Sequence, residues 1–194
     1  SLREWIYGSD PEGPMRLAIF FDAIAVAGDA HLLDSLRAHV DAVLAGSDAF
    51  LARFAAPADQ FDEPNSWWLR LTARGDERRL DLKKLGTFPI VHGVRALSLK
   101  HQVRESGTAE RLHRLVEARH LDADLGRDLQ EALHYLMGLK LRHQLRQRAA
   151  NQLPDNSVRP AELSTMDGDQ LKEALAIVKR FRALLRQRFR LDSL

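Results

Sequence analysis

The longest periodic stretch of the sequence is 122-DADLGRDLQEALHYLMGLKLRHQLRQR-148. Its apolar residues recur every three or four positions, which predicts a helix with one apolar face over residues 122–148. The residues expected on the inner face are Leu125, Leu129, Leu133, Leu136, Met137, Leu141 and Leu145. A helix of this length buries its apolar face against a partner helix or a sheet, so the neighbouring segments decide the fold class.

Segments towards the N-terminus show the same period. Residues 31–54 predict one amphipathic helix, or two that meet near residues 46–47, with Asp29 as the N-cap. Residues 14–27 are expected to form a buried helix, with a buried strand as the alternative. A short helix is expected over residues 67–73.

The rest of the chain predicts three more helices and one extended segment. Helices are expected to begin near Pro89 and at Thr108, the latter as an N-cap, and to cover residues 168–190. Residues 79–85 are expected to be extended. Long strands of alternating polarity are missing, so the predicted fold class is all-α, an antiparallel helical bundle with short irregular connections.

Composition excludes several classes of protein. The 194 residues are 45% hydrophobic and 29% charged, as in a globular domain. Cysteine is absent, which excludes disulfides and thiolate zinc sites and fits a cytoplasmic location. The net charge of +2 gives no case for nucleic acid, and no segment reaches the roughly 20 apolar residues of a membrane span. Because the chain starts at Ser1 rather than Met, we expect it to be part of a longer protein.

Familiar catalytic signatures are missing from the sequence. It has no Gly-rich phosphate loop, no Gly-x-Ser-x-Gly elbow and no pair of histidines four residues apart. The eight histidines are expected to be surface or half-buried helix residues. We therefore predict no catalytic residues and no metal ligands in this chain.

One polar cluster is a candidate for binding. The segment 80-LDLKKLG-86 is followed by a helix that carries Arg95. In an extended segment the side chains of Asp81 and Lys83 share a face, which would let Lys83 hold a phosphate and Asp81 position a metal-bound nucleotide. The alternative is an ordinary ion pair at the boundary of two elements.

A second candidate is Asp22, which lies within the apolar run 19-IFFDAIAVAGD-29. An unpaired buried carboxylate is strongly destabilising, so Asp22 is expected to pair with an arginine or a helix end. It then either faces a substrate pocket or forms a salt bridge at the rim of the core.

A third candidate is the cationic stripe formed by Arg182, Arg186 and Arg190, which repeat every four residues. Such a stripe is either a solvated helix face or a surface that meets phosphates or an acidic partner. Aromatic residues do not interleave with it, which disfavours nucleic acid.

Two segments, 21-FDAIAVAGD-29 and 81-DLKKLGTFPIV-91 with Arg95, resemble the C-terminal substrate-binding domain of a group of nucleotidyltransferases. These proteins are related to the PII uridylyltransferase and the glutamine synthetase adenylyltransferase. Three later runs that also match are 108-TAERL-112, 141-LRHQ-144 and 154-PDN-156. The resemblance therefore covers nearly the whole chain.

The resemblance implies a helical module that follows a nucleotidyltransferase catalytic domain, often beside cyclic-nucleotide-binding and CBS domains in signal transduction. The catalytic domain of this superfamily carries a Gly-Ser motif followed by an Asp-x-Asp pair, which this chain lacks. The chain is thus expected to be non-catalytic alone, while its parent protein uses Mg²⁺ and a nucleoside triphosphate. Residues 1–194 are expected to form one substrate-binding domain, with residues 1–30 as the tail of the catalytic domain in an alternative division.

The residues predicted to bind substrate are Asp81, Lys83, Arg95, Asp22 and Arg111. The sequence departs from the family at Ile24, where relatives tend to have Arg, and at Thr87, where they tend to have a second Gly. The expected partners are the catalytic domain of the parent chain and a nucleotide or an acceptor protein, without membrane or nucleic acid. The alternative function is a helical interaction module that docks an acidic partner through its basic C-terminal helix.

Overall fold

The structure is a computed structural model, in which residues 2–8, 12–44, 47–60 and 79–193 are described. The helices are α1 (Leu2–Tyr7), α2 (Gly13–Phe21), α3 (Ala30–Leu44), α4 (Asp48–Ala55), α5 (Phe88–Lys100), α6 (Thr108–Glu117), α7 (Ala123–Ala149) and α8 (Thr165–Phe189). Two short strands, β1 (Leu80–Asp81) and β2 (Ser157–Val158), pair antiparallel. Helices dominate the described residues, which confirms the all-α prediction.

The long helices α7 and α8 form the centre of the fold. They run antiparallel, because Asp128 near the start of α7 pairs with Arg180 towards the end of α8, while Arg142 further along α7 pairs with Asp167 at the start of α8. Their buried side chains join those of α2, α4 and α5 in one continuous apolar core. The antiparallel packing predicted for the bundle is confirmed for this pair.

Two glycines allow other elements to approach the α7–α8 pair. A Cβ on Gly93 of α5 would lie 2.5 Å from Cδ1 of Leu185, and one on Gly86 would lie 2.7 Å from Cδ1 of Leu136. A larger residue at either position requires the core to shift. Gly86 belongs to a π-helical turn, Lys83–Thr87, that leads directly into α5.

The prediction that residues 79–85 are extended is wrong after β1. Only Leu80–Asp81 is a strand, and the chain turns helical at Leu82, which is fully buried. A run of six residues with leucine at every second or third position is compatible with both conformations. The close approach of Gly86 to α7 belongs to tertiary packing, which periodicity does not report.

The N-terminal half follows the predicted periods with one difference in extent. The pattern over residues 31–54 divides into α3 and α4, which was one of its two alternatives. The buried helix predicted for residues 14–27 is right only in its first part, because α2 ends at Phe21 and the residues that follow are largely exposed.

Of the two predicted N-caps, the one before α3 is confirmed and the one before α6 is wrong. The Asp29 carboxylate accepts the N–H of His31 at 2.9 Å, as expected of an N-cap. Thr108 is instead the first residue of α6, and Gly107, with an extended backbone, is the N-cap. The short helix predicted for residues 67–73 lies outside the described residues.

The second half of α7 departs from its predicted apolar face. Met137, Leu141 and Leu145 are 50%, 56% and 58% exposed. In this half the polar side chain of Gln147 is buried. Its amide oxygen accepts the backbone N–H of Asp155 at 2.9 Å. Exposed leucines at neighbouring positions fit the same spacing, so the period alone does not reveal which face is buried.

Candidate functional site

A pocket of about 700 Å³ lies between α1, α2, the end of α4 and the π-helical turn before α5. This volume is within the ~300–1,000 Å³ typical of small-molecule sites. Its apolar side includes Trp5 of α1, Met15 of α2 and Phe88 of α5. Met15 is 48% exposed, so this side of the pocket offers an open apolar contact.

The charged part of the pocket lining is mainly cationic. Among the described residues its charged side chains are Arg53, Lys83, Lys84 and Asp81. Three positive charges against one negative charge favour an anionic occupant. The Arg53 guanidinium is held in place because it donates to the carbonyl oxygen of Ile6 at 2.7 Å.

Asp81 fixes the start of the π-helical turn. Its Oδ1 accepts the backbone N–H of Lys83 at 2.9 Å and that of Lys84 at 3.0 Å. The predicted geometry, with Asp81 and Lys83 on one face of an extended segment, is wrong because the chain has already turned helical. Both residues nevertheless line the same pocket, and no ion pair joins these two described side chains.

The loop before β2 completes the polar side through Asn156. The N–H of Leu82 donates to the carbonyl oxygen of Asn156 at 2.9 Å, and Gln144 of α7 donates to the carbonyl oxygen of Asp155 at 3.1 Å. The Ser157 N–H, bonded to the Asp155 carboxylate, lowers the pKa of Asp155 below its usual value. Two runs that carry the family resemblance, 81–91 and 154–156, therefore line this pocket, and the run 141–144 holds the loop in place through Gln144.

His92 is a pocket residue that the sequence did not reveal. It is 1% exposed, and its ring stacks on Phe54 at 5.0 Å and on Phe88 at 5.2 Å between centroids. Its Nε2–H donates to the carbonyl oxygen of Phe54 at 2.6 Å, which leaves Nδ1 without a partner among the described residues. Burial lowers the pKa of His92 to about 4, so the ring is neutral and Nδ1 is an acceptor.

The other predicted site residues form a separate ion cluster. Arg95 and Arg111 both donate to the carboxylate of Asp22, Arg111 at 2.9 Å, which confirms the predicted pairing with arginine. Arg111 is 2% exposed and also donates to the carbonyl oxygen of Glu105 at 2.6 Å. Burial lowers the pKa of Arg111, partly offset by its bond to Asp22. The cluster ties the end of α2 to α5 and α6, and its three side chains are not among the described residues that line the pocket.

A sequence model of one protein family matches residues 48–189, and this family is described as "Putative nucleotidyltransferase substrate binding domain". The chain belongs to this family. The match includes Arg53, Lys83 and Lys84 of the pocket lining in this substrate-binding domain, while α1, α2 and α3 precede it. No curated protein and no solved structure matches the chain.

Two residues of the cationic stripe, Arg182 and Arg186, form ion pairs within the substrate-binding domain. Arg182 and Arg186 both bind Asp59, Arg186 through Nε at 2.6 Å, and the Arg182 side chain is 5% exposed. Arg190 ends α8 with a left-handed backbone, at φ 52°. The stripe is therefore not an open row of three solvent-facing cations.

In the described part of the substrate-binding domain, no group of three histidine, aspartate or glutamate side chains is arranged to hold a metal ion. Magnesium, which the resemblance implies for the parent protein, is therefore not assigned to these residues. No helix among the described residues has both the length and the apolar character needed to cross a bilayer.

Proposed function

We propose that this domain binds a substrate of nucleotidyl transfer in the pocket between α2 and the π-helical turn, and presents it to a catalytic domain of the same parent protein. The observation that carries the proposal is a pocket lined both by three cationic side chains and by large apolar ones. The reactants of this transfer are phosphates, and cations on rigid elements hold phosphates in a defined position.

Lys83 is the side chain best placed to hold the substrate. Its backbone is fixed by Asp81, its side chain is exposed at the pocket, and no described residue forms an ion pair with it. An ammonium group on a fixed backbone is a point charge suited to a phosphate oxygen. The π-helical geometry fits this role, since such turns often occur at functional sites.

The ion cluster has a positioning role in this proposal. Asp22, Arg95 and Arg111 hold the C-terminal end of α2, and the N-terminal part of the same helix contributes Met15 to the pocket. The cluster thereby sets the distance between the two sides of the pocket. Its side chains act on the substrate through α2 rather than by contact.

The wider context of the parent protein is supported by the family and the resemblance alone. In it, a cytoplasmic nucleotidyltransferase carries this domain together with a catalytic domain, beside cyclic-nucleotide-binding and CBS domains in signal transduction. Magnesium on the catalytic domain would stabilise the charge of the triphosphate.

The test is nucleotidyl transfer by the full-length parent protein with Lys83→Ala. A lost charge-assisted contact of about 1.5–3 kcal/mol should lower kcat/KM by roughly tenfold or more, mainly through KM. Lys179→Ala, an exposed lysine of α8 outside the pocket, is the matched control and should leave transfer unchanged. Unchanged transfer in Lys83→Ala would contradict the proposal.

A further inference from the structure

The second half of α7 carries an exposed apolar ridge, the α7 ridge, formed by Met137, Leu141 and Leu145. These side chains are spaced one helical turn apart, so they lie on the same face, and they are 50%, 56% and 58% exposed. Leu136 and Leu139 of the same turns are buried in the core. This half of α7 therefore has two apolar faces, of which the fold covers one. Neighbouring exposed apolar side chains with a polar rim are typical of interaction sites.

The rim of the α7 ridge is cationic. Residues 132–154 contain no aspartate or glutamate. Lys140, Arg146 and Arg148 of this stretch form no ion pair with any described residue, and both arginines are exposed. The fourth cation of this part of α7, Arg142, pairs with the start of α8. The surface around the ridge is therefore positively charged, and most of that charge is not neutralised within the described fold.

These charges decide the class of partner. A second copy of the chain would bring two sets of the same cations together, which like-charge repulsion disfavours. Nucleic acid is disfavoured because the ridge has no aromatic side chain on which a base could stack. A bilayer would receive only three apolar side chains, from a helix whose other side is packed in the core. An acidic protein surface complements both the charge of the rim and the apolar ridge.

The shape of the ridge indicates that the acidic partner is a helix. The ridge is one side chain wide and about 12 Å long, at about 1.5 Å of rise per residue. An amphipathic helix presents apolar side chains every three or four residues, which matches the spacing of the ridge. Gly138 lies beside the ridge, and the nearest atom to a Cβ there is 3.7 Å away, so a second helix can approach the backbone of α7 at this point.

We propose that the α7 ridge binds an amphipathic helix of a partner protein, whose apolar face is bordered by glutamate or aspartate. The proposal goes beyond the proposed function, because no ridge side chain is among the described residues that line the pocket. The sequence assigns an acidic partner to the basic C-terminal helix, α8, but Arg182 and Arg186 of that helix bind Asp59. The cations that such a partner needs lie on α7 instead.

The test is fluorescence anisotropy of two labelled synthetic helical peptides titrated with this chain. Both peptides carry the same leucine face, which is bordered by glutamates in the acidic peptide and by lysines in the basic peptide. The acidic peptide should bind at least tenfold more tightly than the basic one, and its affinity should fall as the salt concentration rises. The double variant Arg146→Glu, Arg148→Glu should reverse this preference, because it reverses the charge of the rim.

Leu141→Ser should weaken the acidic peptide about tenfold, since it removes the central apolar side chain of the ridge. The matched control is Leu32→Ser, which makes the same change at a 68% exposed leucine of α3 and should leave the affinity unchanged. Lys83→Ala, which removes a cation of the pocket, should also leave peptide binding unchanged. Thermal unfolding of each variant verifies that it is folded.

Equal affinity for the two peptides overturns the proposal, as does an acidic peptide that does not bind or that binds Leu141→Ser as tightly as wild type. Sedimentation velocity of the chain alone and flotation with phosphatidylserine vesicles test the other occupants. Self-association or vesicle binding that Leu141→Ser abolishes would assign the ridge to a second copy or to a lipid surface, and would overturn the proposal as well.

Discussion

At the scale of single residues, the fold lowers the pKa of His92 and keeps its ring neutral. Two aromatic rings and a carbonyl oxygen surround it, and no carboxylate lies among its bonded or stacked neighbours. Burial therefore penalises the imidazolium and lowers the pKa of His92; the bond to the Phe54 carbonyl oxygen offsets this only in part, and the charge of Arg95 lowers the pKa further. The pKa falls from 6.5 to about 4, so the neutral ring is the folded form at neutral pH.

This lowered pKa predicts a loss of stability in acid. The unfolded chain takes up a proton on His92 below about pH 6.5 while the folded protein does not until about pH 4, so stability falls across that range. By pH 5 the loss reaches about 2 kcal/mol. Urea unfolding of wild type and His92→Gln at pH 7 and pH 5 measures it, because glutamine keeps a donor for the Phe54 carbonyl but does not titrate.

The stability difference between wild type and His92→Gln should shrink by about 2 kcal/mol between pH 7 and pH 5. The control is His39→Gln, which makes the same change at an exposed histidine of α3. The pKa of His101 is also lowered to about 4, by burial first, which is why the comparison uses a variant of His92 alone. A constant difference across this range would contradict the buried neutral state.

At the scale of elements, the crossing of α5 over α8 depends on Gly93. A Cβ there would lie 2.5 Å from Leu185 and 2.6 Å from Phe181, both in the core. Gly93→Ala is therefore expected to destabilise the protein by about 1–3 kcal/mol. Gly168→Ala is the matched control, because nothing lies within 4 Å of a Cβ at Gly168, and alanine should stabilise α8 by up to about 1 kcal/mol. Urea unfolding that gives both variants the same sign would refute this account of the crossing.

The ion cluster at the end of α2 gives a second prediction at this scale. Asp22→Ala leaves Arg111 buried without a carboxylate, which should cost about 1–3 kcal/mol, less than a fully buried pair because Asp22 is about one third exposed. Glu12→Ala, which breaks the exposed pair with Arg16, should cost under about 0.5 kcal/mol. The two variants are compared by thermal unfolding, and equal effects would show that the cluster does not anchor α2.

The helical period was readable from the sequence in the first half of α7, where one face is buried. The split of residues 31–54 into α3 and α4 was one of the two alternatives that the period left open. The π-helical turn was not readable, because its only local mark is Gly86 and its cause is the close approach to Leu136. Motif resemblance singled out Asp81 and Lys83, yet the period could not show that they line a pocket with Trp5, which is distant in sequence.

At the scale of the whole molecule, the N-terminal helices share the core of the family-matched region. Ile6 and Leu17 are 1% and 0% exposed and belong to the same apolar cluster as Phe54. The rings of Phe21 and Phe54 pack edge to face, with 6.5 Å between their centroids, and Arg53 donates a hydrogen bond to the carbonyl oxygen of Ile6. These contacts join α1, α2 and α4 in one apolar core.

One shared core predicts one cooperative unfolding transition for the chain. In a Trp67→Phe, Trp68→Phe variant, Trp5 is the only tryptophan and reports on α1, while far-UV circular dichroism is dominated by the long helices α7 and α8. Urea titrations followed by the two signals should give the same midpoint, because α1 cannot leave without exposing Ile6 and the core beneath it. Loss of the Trp5 signal at a clearly lower urea concentration would mean that α1 unfolds separately. In that case Trp5 would leave the pocket while Lys83 and Lys84 stay in place, and the pocket lining would not be one rigid unit.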